Sequence, residues 1–183
     1  MKRFVIVIAM VLVQGCDAPW AGPTLPDGSH ALNLTELSVR GPFDVAPAII
    51  ASTSLVEVRD QVIAHAVGIR RRTPGEVCQA YETVPDPCWA QQVDQAGHVY
   101  VAVIINYECT SSTKDASAAG GHTLYYIHWV GSPQGVCNAS MAQPMWRLYS
   151  ASRSDLPSSG MLRVRLVFQG SAQGDIDTQV QLT

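Results

Sequence analysis

The chain has 183 residues, with 12 Lys and Arg against 15 Asp and Glu, a formal net charge of −3 and 47% hydrophobic residues. That length supports one domain with a core of its own, and an acidic chain whose two lysines are Lys2 and Lys114 argues against a partner made of nucleic acid or an anionic surface. The basic cluster Arg70-Arg71-Arg72 reads as a solvated strand end that resists edge-to-edge pairing.

The chain opens with Met1-Lys2-Arg3 and then ten apolar residues from Phe4 to Val13. This run falls well short of the roughly 20 residues needed to span a bilayer as a helix. A basic start followed by a short apolar core is the pattern of a signal peptide, covering residues 1–15. Val13-Gln14-Gly15-Cys16 resembles the lipobox of bacterial lipoproteins, with a small residue before the cut and then a cysteine. The resemblance ends at Cys16. It implies that Cys16 becomes the amino terminus and carries a diacylglycerol, with a third chain such as palmitate on its amine. Two or more acyl chains give stable anchoring where one does not. Asp17 resembles an inner-membrane retention signal, which favours the periplasmic side of the inner membrane over the outer membrane or the cell surface. The alternative is a plain secretory signal, with Cys16 lost or left as a free thiol.

With Cys16 used by the lipid, Cys78, Cys88, Cys109 and Cys137 remain as an even set in an oxidising compartment. Three pairings exist. Cys78–Cys88 with Cys109–Cys137 is chosen because both loops are short, and no Cys-x-x-Cys spacing points to a metal or redox site.

Residues 16–31, with Pro19, Pro23 and Pro26, read as the lipidated cysteine and a semi-extended tether. A single β domain is expected over 32–183. Its first strand is placed at Leu32–Val39, bulged at Thr35-Glu36. Over residues 45–70 the apolar positions fit either two strands across Asp60-Gln61 or a short helix around 47–66. The abundance of β-branched residues, Gly68 and the want of a clear cap favour the hairpin.

Val99 to Ile105 is apolar on both faces, the mark of a central strand. Thr110–Gly121 is small and polar and reads as a mobile loop. His122–Val130 and Met145–Ser150 read as strands. Leu162, Val164, Leu166 and Phe168, then Ile176, Thr178, Val180 and Leu182, alternate with polar partners on either side of a glycine-bounded connection, as two half-buried antiparallel strands do. The whole reads as an all-β, antiparallel β-sandwich of about seven strands, stapled by disulfides. A bridge from Cys109 to Cys137 is strained if 98–108 and 122–130 form a simple hairpin. Either those strands lie in different sheets, or Cys137 pairs elsewhere.

Chemistry is sparse. Ser111-Ser112-Thr113-Lys114 matches the Ser-x-x-Lys of penicillin-recognising enzymes, but no companion motif follows and the match reads as chance. Nucleophile-elbow, zinc-protease and phosphate-loop motifs are absent. Metal-ligand candidates are His98, His122, His128, Met141 and Met145, the methionines suiting Cu(I). Trp129, Tyr125 and Tyr126 are candidates for an aromatic binding surface. The expectation is a lipid-anchored cell-envelope protein with a non-catalytic binding or assembly role. It holds no cofactor, meets the membrane through its anchor, and takes an envelope protein or a glycan as partner. The alternatives are a periplasmic metal-binding protein and a small envelope hydrolase.

Overall fold

A computed structural model describes residues 22–40, 46–70, 96–106, 113–131 and 144–183. Among them are β1 (His30–Ala31), β2 (Thr35–Arg40), β3 (Ala48–Ser52), α1 (Leu55–Arg70), β4 (His98–Asn106), β5 (Thr113–Gly120), β6 (Thr123–Val130), β7 (Pro144–Ser152), β8 (Gly160–Gln169) and β9 (Ile176–Leu182). One sheet has the order β1-β5-β6-β8-β9 and the other β2-β7-β4-β3. The mostly β, two-sheet architecture agrees with the sequence reading. It differs in three details: the described strands number nine, β6 and β8 run parallel, and a helix covers the outer face of the second sheet. β6 and β8 can be parallel because β7, which lies between them in the chain, belongs to the other sheet.

The two-faced apolar character of β4 has a direct structural cause. Val99, Val101, Val103 and Ile105 point into the core between the sheets, against Leu124, Leu162, Val164, Leu166 and Leu182. Tyr100, Ala102 and Ile104 point the other way, against Leu55, Val58 and Val62 of α1. β4 is central in its sheet, paired to β3 on one side and β7 on the other. Each fully buried aliphatic side chain contributes about 1.5–3 kcal/mol to such a core.

In place of the hairpin expected over 45–70, the strand β3 is followed by the helix α1, which takes up both of the strands expected across Asp60-Gln61. Leu55, Val58 and Val62 are buried at helical spacing on the sheet, a gain that outweighs the modest helix propensity of β-branched residues. A start signal was also present. Ser54-Leu55-Val56-Glu57 has the Ser-x-x-Glu spacing of a capping box. The hydroxyl of Ser52 accepts from the Ser54 amide at 3.0 Å and donates to the Glu57 carboxylate, while Val58 N–H donates to Ser54 O at 3.2 Å.

Two further expectations are corrected. The first strand expected over 32–39 begins only at Thr35, as β2, and β1 falls in the segment expected as a tether: β1 pairs with β5 in one sheet and β2 with β7 in the other, so 32–34 cross from sheet to sheet. The irregularity expected near Thr35-Glu36 is real, as a register shift between Glu36 and Ser38. The loop expected over 110–121 is strand from Thr113 on. Its small residues lie flat between neighbours, Ala118 and Ala119 pairing with β1 on one side and with Tyr125 and Leu124 on the other. The strands read at the end of the chain pair as an antiparallel hairpin, Leu162 opposite Val180 and Leu166 opposite Ile176.

Part of the segment expected as a tether lies against the first sheet. Gln169 at the end of β8 grips Thr24 with its amide, accepting from the Thr24 N–H at 2.8 Å and donating to its carbonyl at 2.7 Å. Gly22, Pro23, Leu25 and Pro26 are partly buried in consequence.

Candidate functional site

Period-two alternation sends Asp115 and Ser117 of β5, Tyr126 and His128 of β6, and Arg147 and Tyr149 of β7 into the space between the sheets. They gather on the side where β5 and β2 lie near the sheet edges and where residues 32–34 cross over. There a cavity of about 410 Å³ is lined by Ala31–Leu34, Asp115, Ala116, Ser117, Tyr126, Arg147 and Tyr149.

The polar groups of this cavity are bonded to one another. One carboxylate oxygen of Asp115 lies 2.7 Å from Nδ1 of His128, and the other accepts from Nη1 of Arg147 at 3.2 Å. The same Nη1 lies 3.5 Å from the Tyr149 hydroxyl and 3.9 Å from the Glu36 carboxylate at the rim. The Tyr126 and Tyr149 hydroxyls are 3.0 Å apart, with their rings tilted at a centroid distance of 5.3 Å. Ser117 donates to the carbonyl of Leu32 at 2.5 Å, fastening the crossover to β5.

Burial pushes the Tyr126 hydroxyl far above the usual phenol range, and the Asp115 charge adds to the effect. Burial raises Tyr149 as well, opposed by its hydrogen bonds with Tyr126 and Arg147. Both phenols therefore stay neutral, able to donate and to accept. His128 is only 1% exposed and is absent from the cavity wall, with Asp115 in front of it and Phe168 edge-on at 6.0 Å. A serine–histidine–aspartate triad places the imidazole between nucleophile and carboxylate. Here the carboxylate faces the cavity and the imidazole sits behind it.

The aromatic candidates fall on two faces. Tyr126 is in the cavity wall, whereas Tyr125 and Trp129 project from the outer face of the first sheet, where the Lys114 ammonium lies 5.7 Å from the Trp129 ring centre. The histidines named as metal ligands are dispersed. His98 begins β4 in the second sheet, His122 lies in the turn before β6, and His128 is committed to Asp115. Among the described residues no three side chains of the metal-ligating types His, Cys, Asp and Glu come together. Met141 lies outside the described residues, as does the side chain of Met145. Cys16, Cys78, Cys88, Cys109 and Cys137 also lie outside them, as do Ser111 and Ser112.

Asp115, Arg147 and Tyr149 were not singled out in the sequence. Their only local sign is a charged or phenolic residue on the core-facing side of a strand, and that side is known only once the strand is placed. No helix among the described residues is long and apolar enough to cross a membrane. No protein-family description, no curated protein and no solved structure matches this chain.

Proposed function

We propose that this is a lipid-anchored protein of the bacterial cell envelope whose β domain binds a ligand without catalysing its conversion, the inter-sheet cavity being the binding site. The observation that carries the binding role is the state of the cavity's polar groups. The carboxylate is held by His128 and Arg147, the serine hydroxyl by a backbone carbonyl, and both phenols are kept neutral. A wall of mutually oriented donors and acceptors selects a shape, and among its described residues it leaves no activated nucleophile facing the ligand.

The anchored location rests on Lys2-Arg3, the apolar run Phe4–Val13 and Cys16. Cys78–Cys88 and Cys109–Cys137 complete the proposal as two disulfides, each formed by loss of two protons and two electrons to the thiol oxidants of that compartment. The second pairing gains support from connectivity. β4 ends at Asn106 opposite Pro144, and β5 begins at Thr113 opposite Val130. The stretches that carry Cys109 and Cys137 thus begin and end on neighbouring residues, and β4 and β6 lie in different sheets, as the bridge requires.

Intact mass spectrometry of the protein extracted in detergent tests this proposal. A chain beginning at Cys16 with acyl mass, four hydrogens short of the reduced form, is expected. A small molecule retained only under native conditions would identify the ligand directly. An unacylated chain overturns the anchored location.

A further inference from the structure

We infer that the cavity between the sheets takes a neutral, hydroxyl-bearing ligand, a sugar unit, and discriminates against charged ligands of either sign. The inference rests on the reading of the cavity as a binding site and names the ligand class it fits.

The charges in the wall decide the class. Among the described residues, Asp115 and Arg147 contribute one negative and one positive charge, 3.2 Å apart, and the remaining polar groups in the wall are the neutral Ser117, Asn33, Tyr126 and Tyr149. A ligand carboxylate or phosphate that approaches the guanidinium meets the Asp115 carboxylate beside it and Glu36 at the rim. A ligand cation that approaches Asp115 meets the guanidinium. Taking an unpaired charge out of water beside a like charge is strongly unfavourable.

A hydroxyl has no such conflict, because it donates to a carboxylate, accepts from a guanidinium, and does both with a phenol. The non-polar wall suits the same ligand. Ala31, Leu34 and Ala116, exposed or half-buried in the lining, supply surface for the C–H side of a sugar ring, with the buried Tyr126 and Tyr149 packed beneath. A volume of about 410 Å³ lies at the small end of ligand pockets and admits one or two sugar rings.

The test is calorimetric titration of the full mature protein with matched soluble probes: neutral hexose and N-acetylhexosamine oligosaccharides, uronic-acid oligosaccharides, and glucosamine oligosaccharides. Saturable binding of a neutral probe is expected, weakened about fivefold or more by Tyr149→Phe, which removes one hydroxyl. Trp129→Ala, on the opposite face of the sheet, leaves that affinity unchanged. Thermal melts run alongside separate loss of contact from loss of fold, and Arg147→Lys serves as the second variant if Tyr149→Phe lowers the melting temperature. Binding of only the acidic or only the basic probes, abolished by the same cavity variants, overturns the neutral class and leaves the cavity as a binding site. Binding of neutral probes that neither variant alters overturns the assignment to this cavity. Absence of binding by every probe overturns the sugar ligand.

Discussion

Asp115 and His128 are direct cross-strand partners on β5 and β6, and the Oδ1 of the first lies 2.7 Å from the Nδ1 of the second. This contact holds a charged residue on the inward face of a strand near the sheet edge, where charge also discourages pairing with a second chain. His128→Ala removes a fully buried ring and one of the partners of the carboxylate. It is expected to lower unfolding free energy by about 2–4 kcal/mol. Asp115→Asn keeps the shape and a hydrogen-bonding capacity and is expected to cost about 1–2 kcal/mol. Urea unfolding of both variants measures the difference, and equal midpoints for wild type and His128→Ala would show that the pair is not structural.

The tyrosine pair sets the alkaline limit of stability. Burial raises both phenols above their unfolded value near pH 10. Above that pH the unfolded chain has released the protons that the folded state still holds. It then binds fewer protons, and stability falls as pH rises. Stability from these groups is complete below about pH 10 and declines above it, for Tyr126 by about 1.4 kcal/mol per pH unit. Tyr126→Phe is expected to flatten that decline by one proton's worth. Denaturant midpoints followed from pH 8 to 11.5 give the slope, and an unchanged slope counts against the buried, neutral phenol.

Gly170 follows β8 at a φ of +77°, and a Cβ there would overlap the carbonyl oxygen of Val130. Gly28 has a similar φ of +72° but open space around it. Gly28→Ala is therefore expected to cost only the left-handed backbone strain, about 1 kcal/mol. Gly170→Ala adds a backbone clash and is expected to cost about 3 kcal/mol or more. Paired thermal melts compare them, and similar losses at both positions would remove the close approach as the cause.

The grip of Gln169 on Thr24 predicts a local change without a global one. Gln169→Ala removes two hydrogen bonds at an exposed site. The Thr24 amide is expected to exchange its hydrogen about tenfold faster or more, with the melting temperature nearly unchanged. Hydrogen exchange read by mass spectrometry on the peptide that contains Thr24 gives the answer. Unaltered exchange would mean that other contacts hold the segment.

Peptide mapping without reduction is expected to recover Cys109 linked to Cys137 and Cys78 linked to Cys88. In the chain-entropy treatment the two bridges contribute about 3.5 and about 3 kcal/mol. Cys109→Ser and Cys137→Ser should each lose the larger amount, and the double variant should lose no more than either alone. Additive losses would separate the two cysteines.

What the amino-acid sequence determined by itself is what repeats with a period. Alternation over 160–182 placed β8, β9 and their pairing, and unbroken apolarity from Val99 to Ile105 marked β4 as central, because a strand covered on both faces has no polar side to show. The anchor proposed at Cys16 rests on order and spacing alone, and residues 1–16 lie outside the described residues. Tertiary structure decided the rest. Leu55, Val58 and Val62 suit a helix or a strand taken alone, and the sheet beneath them selects the helix. Thr113–Gly120 has too few apolar side chains to announce a strand. It becomes one because β6 on one side, and β1 over part of the other, satisfy its backbone. The cavity is the extreme case. Asp115, Tyr126, Arg147 and Tyr149 come from three strands in two sheets, so no local pattern joins them. They meet because strand register turns each side chain inward where the sheets face one another.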